Sequence, residues 1–283
     1  MAEKSITWKV VLSSHNAEAS AALVSQIFPS GVELLSATEF CAYYSGEGAQ
    51  LRDLFESLRT LGIRAVTHEE YNDKNWIQHC RELWHEVQID ALRLVPVADA
   101  TEIDQHSNDS IFIVPGTGFG TGHHESTQLA LELLQSSYVQ EQAPHTALDV
   151  GTGNGVLALA LRKLYGTRVD ALDIDSLAIE NAKQNIDLNN AGDLIGLHRC
   201  ELGPRFPAVS ILTANIYAEV LCSLASDFTR HLIPNGLLVV SGISSSAEQM
   251  VRECFTAPDW NWLECRKKNE WCAALLEKHR DRQ

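Results

Sequence analysis

Apolar residues along this chain recur in two periods, and the switches between them mark out the elements. Ile6–Leu12, Val32–Ser36, Phe40–Ser45 and Ile63–His68 are short runs rich in β-branched and aromatic residues, which predicts four strands. Ala17–Phe28 has helical periodicity and stops near Pro29-Ser30-Gly31. Leu51, Leu54, Phe55, Leu58 and Leu61 follow i, i+3, i+4 spacing and predict a second helix. The order β-α-β-β-α-β is the ferredoxin-like arrangement, which hosts many functions and specifies no chemistry. Residues 73–86 predict an amphipathic helix with Trp76, Cys80, Leu83, Trp84 and Val87 on one face, where the aromatics suit packing better than substrate contact. Strand-like pieces follow at 87–97 and 111–114, separated by the polar run Asp99–Ser110, read as a loop and hinge.

From there the pattern becomes a regular alternation of strand and helix. A helix over Leu129–Leu134 precedes a strand ending at Val150, a helix over Val156–Leu164, a strand over Arg168–Asp173 and a helix over 176–190. Strands at Leu194–His198 and Val209–Ala214, a helix at 217–230, a turn at Pro234-Asn235-Gly236, a strand at 237–241 and a helix at 244–255 continue it. Trp260–Lys267 and Glu270–Glu277, joined at Lys268-Asn269, read as a closing hairpin. Such alternation predicts an open, largely parallel α/β sheet. The expected division is a small α+β domain at 1–70, a linker helix and connecting strands at 71–110, and the α/β domain at 111–283.

The chemistry concentrates where the first strand of that alternation meets its helix. Asp149-Val150-Gly151-Thr152-Gly153-Asn154-Gly155 is a strand end, a glycine-rich turn and a helix start. Glycines accept positive φ and let a ligand approach the backbone, and the helix start leaves N–H groups free. By itself the stretch also suits a plain tight turn. The dinucleotide fingerprint needs glycine at the third position after the second glycine, where this chain has Val156. Its G-x-G-x-G pattern, with Asp149 just before, resembles instead the first motif of class I methyltransferases that use S-adenosyl-L-methionine (SAM). Asp173 ends the next strand 22 residues after Gly151, where an acid can accept hydrogen bonds from both ribose hydroxyls. The alternative for Asp173 is a helix N-cap or a solvated strand end, but Asp175 precedes the helical pattern and is the better N-cap.

Upstream, four glycines alternate from Gly116 to Gly122, followed by His123-His124-Glu125-Ser126-Thr127 and a helix. This loop can wrap a ligand, with the helix start offering N–H groups to the methionine carboxylate of SAM; a flexible interdomain linker is the other reading. A metal site is not expected, because consecutive histidines lack the i, i+4 spacing of H-E-x-x-H. Lys+Arg 22 against Asp+Glu 37 leaves a net charge of −15, which disfavours direct nucleic-acid binding and suits either a basic protein partner or solubility alone. No run approaches the ~18 apolar residues of a membrane span, and no signal peptide is evident. The seven scattered cysteines, without C-x-x-C, are expected as reduced thiols in a cytoplasmic protein.

Gly120-Thr121-Gly122-His123-His124-Glu125-Ser126-Thr127 resembles the signature loop of the PrmA family, bacterial methyltransferases of large-subunit ribosomal protein eleven. The motif at 149–155, Asp173-Ile174-Asp175, Ala214-Asn215-Ile216 and Ser241-Gly242-Ile243 fit as companions, so the resemblance runs along nearly the whole chain. It implies a Rossmann-like, seven-stranded class I methyltransferase domain with an antiparallel last strand, preceded by a ferredoxin-like domain that holds the ribosomal protein. It implies SAM as cosubstrate, bound by Phe119, Thr127, Asp149, Gly151, Gly153, Asp173 and Asn215, with Asn215 also the catalytic residue beside the methyl group. The implied reaction is methyl transfer to lysine or N-terminal amines without metal or dedicated base, by a monomer. Ser210 stands where the family often carries Asp, Thr117-Gly118 replaces a more apolar pair, and Glu201 is the candidate acid for the adenine amine. Trp271 is read as core packing near the crevice. The alternatives are a methyltransferase of another protein or a small molecule, a non-catalytic SAM-binding module, and a nicotinamide dehydrogenase, which Val156 disfavours.

Overall fold

The computed structural model describes residues 7–15, 20, 24, 32–45, 48–71, 85–97, 100–102, 109–114 and 124–279. They fall into two compact units, Met1–Glu82 and Leu83–Gln283. Most of the helix expected at Ala17–Phe28, the segment 72–84 and the glycine-alternating loop with Phe119 lie outside the described residues.

The first unit contains β1 (Thr7–Ser13), β2 (Val32–Leu34), β3 (Glu39–Ser45), α1 (Gly48–Thr60) and β4 (Arg64–Tyr71). Its sheet has the order β2-β3-β1-β4, with every neighbouring pair antiparallel. That is the ferredoxin-like strand order. Val10, Leu12, Val24, Phe40, Ala42, Leu51, Leu58 and Ile63 form its own buried core.

The second unit opens with a three-stranded sheet, β5 (Val87–Ile89), β6 (Leu92–Pro96) and β7 (Ser110–Ile113), in the order β5-β6-β7. Helices α2 (Glu125–Leu134) and α3 (Ser137–Gln142) lead into β8 (Thr146–Val150), α4 (Val156–Tyr165), β9 (Arg168–Asp173), α5 (Ser176–Leu188) and β10 (Ile195–Arg199). Then come β11 (Val209–Asn215), α6 (Ala218–Arg230), β12 (Leu232–Ser244), α7 (Glu248–Cys254), β13 (Trp260–Lys268) and β14 (Trp271–Lys278). The seven-stranded sheet runs β10-β9-β8-β11-β12-β14-β13. Strands β8 to β12 are parallel to one another, and β14 lies antiparallel between β12 and β13.

Side-chain alternation builds a core on each face of this sheet. Ala147, Ile211, Leu237, Val239, Ala273 and Leu275 face one core together with α2 and α4. Their neighbours Leu148, Val150, Leu212, Ala214, Leu238, Val240, Ala274 and Leu276 face the other, with Leu221 and Phe228 of α6 and Val251 of α7.

Three expectations are corrected here. Pro234-Asn235-Gly236 is not a turn before a strand but a bulge inside β12. The pairing with β11 jumps from Val209↔Leu232 to Ile211↔Leu237 across it, and Asn235 takes φ 60°. The last helix starts at Glu248, not 244, because β12 continues to Ser244. Cys222 and Cys254 form a disulfide joining α6 to α7, so the cysteines are not all thiols.

Candidate functional site

The site is built on the carboxyl ends of β8, β9 and β11, where an open α/β sheet offers its crevice. The glycine turn is anchored first. The N–H groups of Gly151 and Thr152 both donate to Leu172 O, at 2.9 and 3.0 Å, drawing the turn over the end of β9. Gly151, Gly153 and Gly155 take φ of 71°, 56° and 85°. At Gly151 a side chain would collide with a neighbour, since a Cβ would lie 2.4 Å from Ile216 Cγ2. Gly153 N–H donates to Asp173 Oδ2 at 3.0 Å, and Asp175 N–H donates to Asp173 Oδ1 at 3.0 Å. Asp173 is thereby fixed at the strand tip, half-buried, with lone pairs left on both oxygens. Asp175 caps α5 by accepting from Leu177 N–H.

Asp149 does something different from the other motif residues. It is 1% exposed and does not line the cavity. The hydroxyls of Thr152 and Thr213 donate to its two oxygens at 2.7 and 2.6 Å. It ties the turn to β11 from below. Burial raises its carboxyl from 3.8 to about 6, against the lowering effect of those hydrogen bonds.

Beside the turn lies a cavity of about 1020 Å³. Asn215, at the end of β11, is on its wall. Its Nδ2 donates to Thr127 Oγ1 at 3.2 Å, whereas its Oδ1 is buried and has no hydrogen-bond partner among the described residues. Thr127 itself is fully buried behind the wall, in the first turn of α2. Asn215 is not a helix cap, because Tyr217 occupies that position for α6.

Helix α2 is held against the sheet by Ser241 Oγ, which donates to Ser126 O at 2.7 Å. The β13–β14 hairpin grips it through Arg266 to Glu132 at 3.4 Å and Asn269 to Glu125 at 3.0 Å. His124 is its N-cap, accepting from Ser126 N–H at 3.2 Å, and burial lowers its pKa. Its ring meets Trp271 edge-on at 4.5 Å between centroids. Trp271 therefore belongs to the cavity wall, and not only to the core. Its position as the first residue of β14, at the crevice end of the sheet, was the available signal. Ile174, 68% exposed next to Asp173, and Leu202 after β10 add apolar wall that the residue pattern did not single out. Glu201 lines the cavity as well. Ser210 lies at the opposite end of β11, with Oγ donating to Thr146 O at 2.7 Å, so its exchange for Asp does not reach the site.

A seven-stranded sheet of this order, a positive-φ glycine turn and an acid at the tip of the adjacent strand define a class I SAM-dependent methyltransferase. Residues 8–279 match the family of ribosomal protein L11 methyltransferases (PrmA), and the chain belongs to that family. The ribosomal protein L11 methyltransferase of Bacillus cereus (strain Q1) is 30% identical over 218 residues, which cover 76% of this chain and 69% of that protein. The corresponding protein of Bacillus anthracis (strain CDC 684 / NRRL 3495) matches to the same extent. The crystal structure of ribosomal protein L11 methylase from Lactobacillus delbrueckii subsp. bulgaricus superposes with a TM-score of 0.59 at 26% identity, covering 69% of this chain and all of that one.

Proposed function

We propose that this protein transfers methyl groups from SAM to amine nitrogens of ribosomal protein L11, at lysine side chains or the N-terminus. The observation that carries the amine reading is the buried Oδ1 of Asn215 on the cavity wall, without a hydrogen-bond partner among the described residues. A buried carbonyl without a donor is costly, and an incoming N–H group supplies that donor. The net charge of −15 suits a basic acceptor.

SAM fits the residues present. The side-chain-free backbone at Gly151 and Gly153 allows close approach, Asp173 accepts from the ribose hydroxyls, and Ile174 and Leu202 offer apolar surface to the adenine. Bound there, SAM supplies a methyl group already activated on a sulfonium sulfur. Asn215 Oδ1 would accept from the incoming amine's N–H and orient its nitrogen, and positioning of this kind would lower a barrier by several kcal/mol. A free lysine ammonium has a pKa of about 10.4, so the nitrogen must first lose a proton. The apolar wall of Trp271, Ile216 and Val156 favours the neutral amine, and water carries the proton away. Thr127 orients the Asn215 amide by accepting from Nδ2, and Asp149 shapes the turn without touching the ligand. The assignment of Phe119 to SAM binding rests on the family resemblance alone. The first unit, a separate compact body, is assigned to binding L11. Among the described residues no helix is long and apolar enough to cross a membrane.

Peptide mapping of L11 after incubation with enzyme and SAM tests the amine assignment. Methyl groups on lysine or N-terminal nitrogen are expected; methyl groups on carboxylate oxygens would refute it. Removal of residues 1–82 is expected to abolish methylation of L11 while leaving SAM binding intact.

A further inference from the structure

Helix α5 and its C-cap carry Asn181, Asn185 and Asn189 at i, i+4 and i+8, so three carboxamides share one face. That face meets the free edge of β7. The carbonyls of Asp109 and Ile113 are taken by the β6 side, from Arg93 N–H and Val97 N–H. Ser110, Phe112 and Val114 point their backbone groups the other way, as strand geometry requires. On that edge Asn189 replaces a neighbouring strand. Its Oδ1 accepts from Phe112 N–H at 2.9 Å, and its Nδ2 donates to Phe112 O at 2.6 Å. Two residues on, Asn185 Oδ1 accepts from Val114 N–H at 2.8 Å, and Asn181 Nδ2 donates to Val114 O at 3.3 Å. Lys163 donates to Ser110 O at 2.6 Å.

Asn185 differs from its neighbours in its second bond. Its Nδ2 leaves the strand and donates to Asn154 O, within the glycine turn, at 2.9 Å. Asn154 is 1% exposed, and its Oδ1 accepts from Val156 N–H at the start of α4. A Cβ at Gly155 would lie 3.5 Å from Ala182 Cβ, one helical turn before Ile186, so α5 packs directly on this part of the turn. Asn185 is fully buried.

We propose that Asn185 is a positioning residue for SAM binding, one carboxamide that locks the glycine turn to the residue following β7 and so holds the turn's backbone in place at the cavity. The residue type follows from the two bonds. A carboxamide accepts from one side and donates to the other, whereas a carboxylate has no donor for Asn154 O and leucine has neither group. Asn189 is the internal control, since it bonds the same strand and does not touch the turn.

The test compares Asn185→Ala with Asn189→Ala by thermal unfolding and by calorimetric titration with S-adenosylhomocysteine. Both variants are expected to melt earlier. Only Asn185→Ala is expected to bind S-adenosylhomocysteine more weakly, by about fivefold or more, the scale of one displaced hydrogen bond. Its KM for SAM should rise in step, with kcat at saturating SAM unchanged. Affinity within twofold of wild type, or an equal loss in Asn189→Ala, overturns the proposal and leaves Asn185 as fold support. Should Asn185→Ala not fold, Asn185→Ser is read by the same criteria. The titration needs no acceptor, so its outcome is independent of whether L11 is the substrate.

Discussion

Gly151→Ala combined with Ile216→Ala probes the join between the glycine turn and the end of β11. Two separate costs fall on the single alanine. At φ 71° an L-residue costs about 1–2 kcal/mol relative to glycine. The new Cβ would also stand 2.4 Å from Ile216 Cγ2, far inside ordinary contact distance, and overpacking of this kind costs about 1–3 kcal/mol. Together they predict a loss of about 2–5 kcal/mol, at roughly 2–4 °C of melting temperature per kcal/mol for a unit of this size. Ile216→Ala removes the atom that is struck, so only the backbone cost of about 1–2 kcal/mol should remain in that background. The double-mutant cycle therefore predicts a coupling of about 1–3 kcal/mol between adjacent sites. Melting temperature and S-adenosylhomocysteine affinity are measured for all four proteins. The reasoning is refuted if Gly151→Ala melts like wild type, or if its cost is the same with and without Ile216.

Further outcomes follow from the same geometry. Asp149 binds its proton in the fold below about 6 but near 3.8 when unfolded, so its contribution is fully present below 3.8 and is lost as pH rises through 6. At ~1.36 kcal/mol per tenfold, ionising it in the fold costs about 3 kcal/mol at neutral pH. Asp149→Asn should thus gain melting temperature relative to wild type as pH rises from about 4 to 7, with the gap levelling off above 6, and a pH-independent gap across that range would contradict the burial argument. Asn215→Ala should lower the methyl-transfer rate about 10²-fold in single turnover while S-adenosylhomocysteine still binds; full turnover at saturating SAM would remove its assigned role. Asp173→Ala should weaken S-adenosylhomocysteine about ten- to a hundredfold by calorimetry, as expected for hydrogen bonds to a charged acceptor. Unchanged affinity would exclude the ribose assignment.

The strands and the glycine turn were legible because their signals are local. Period-two alternation from Ala147 to Val150 and from Ile211 to Ala214 separates into the two cores, and only glycine suits the turn's positive φ. Asp173 was legible for the same reason, a fixed offset from the turn. What escaped depends on long-range contact. Asp149 reads as a binding acid in sequence, but the hydroxyls of Thr152 and Thr213 turn it inward, and Thr213 is 64 residues away. Trp271 reads as core until the hairpin is placed against α2 and His124. The asparagine ladder has helical spacing, yet its partners in and just after β7 lie 67 to 77 residues upstream. The bulge at Pro234–Gly236 presents the residues of an ordinary turn, and only the pairing of both flanks with β11 reveals it. Cys222 and Cys254 are 32 residues apart with no spacing motif, and α6 packing on α7 brings them together.

The most direct measurement is transfer of label from methyl-labelled SAM to purified ribosomal protein L11 by the intact chain, with Asn215→Ala and the Gly151→Ala/Asp173→Ala double variant alongside. Label on L11 with wild type, sharply reduced with Asn215→Ala and absent with the double variant, is the predicted result. An unlabelled L11, with wild-type enzyme that still binds S-adenosylhomocysteine, would contradict the assigned acceptor.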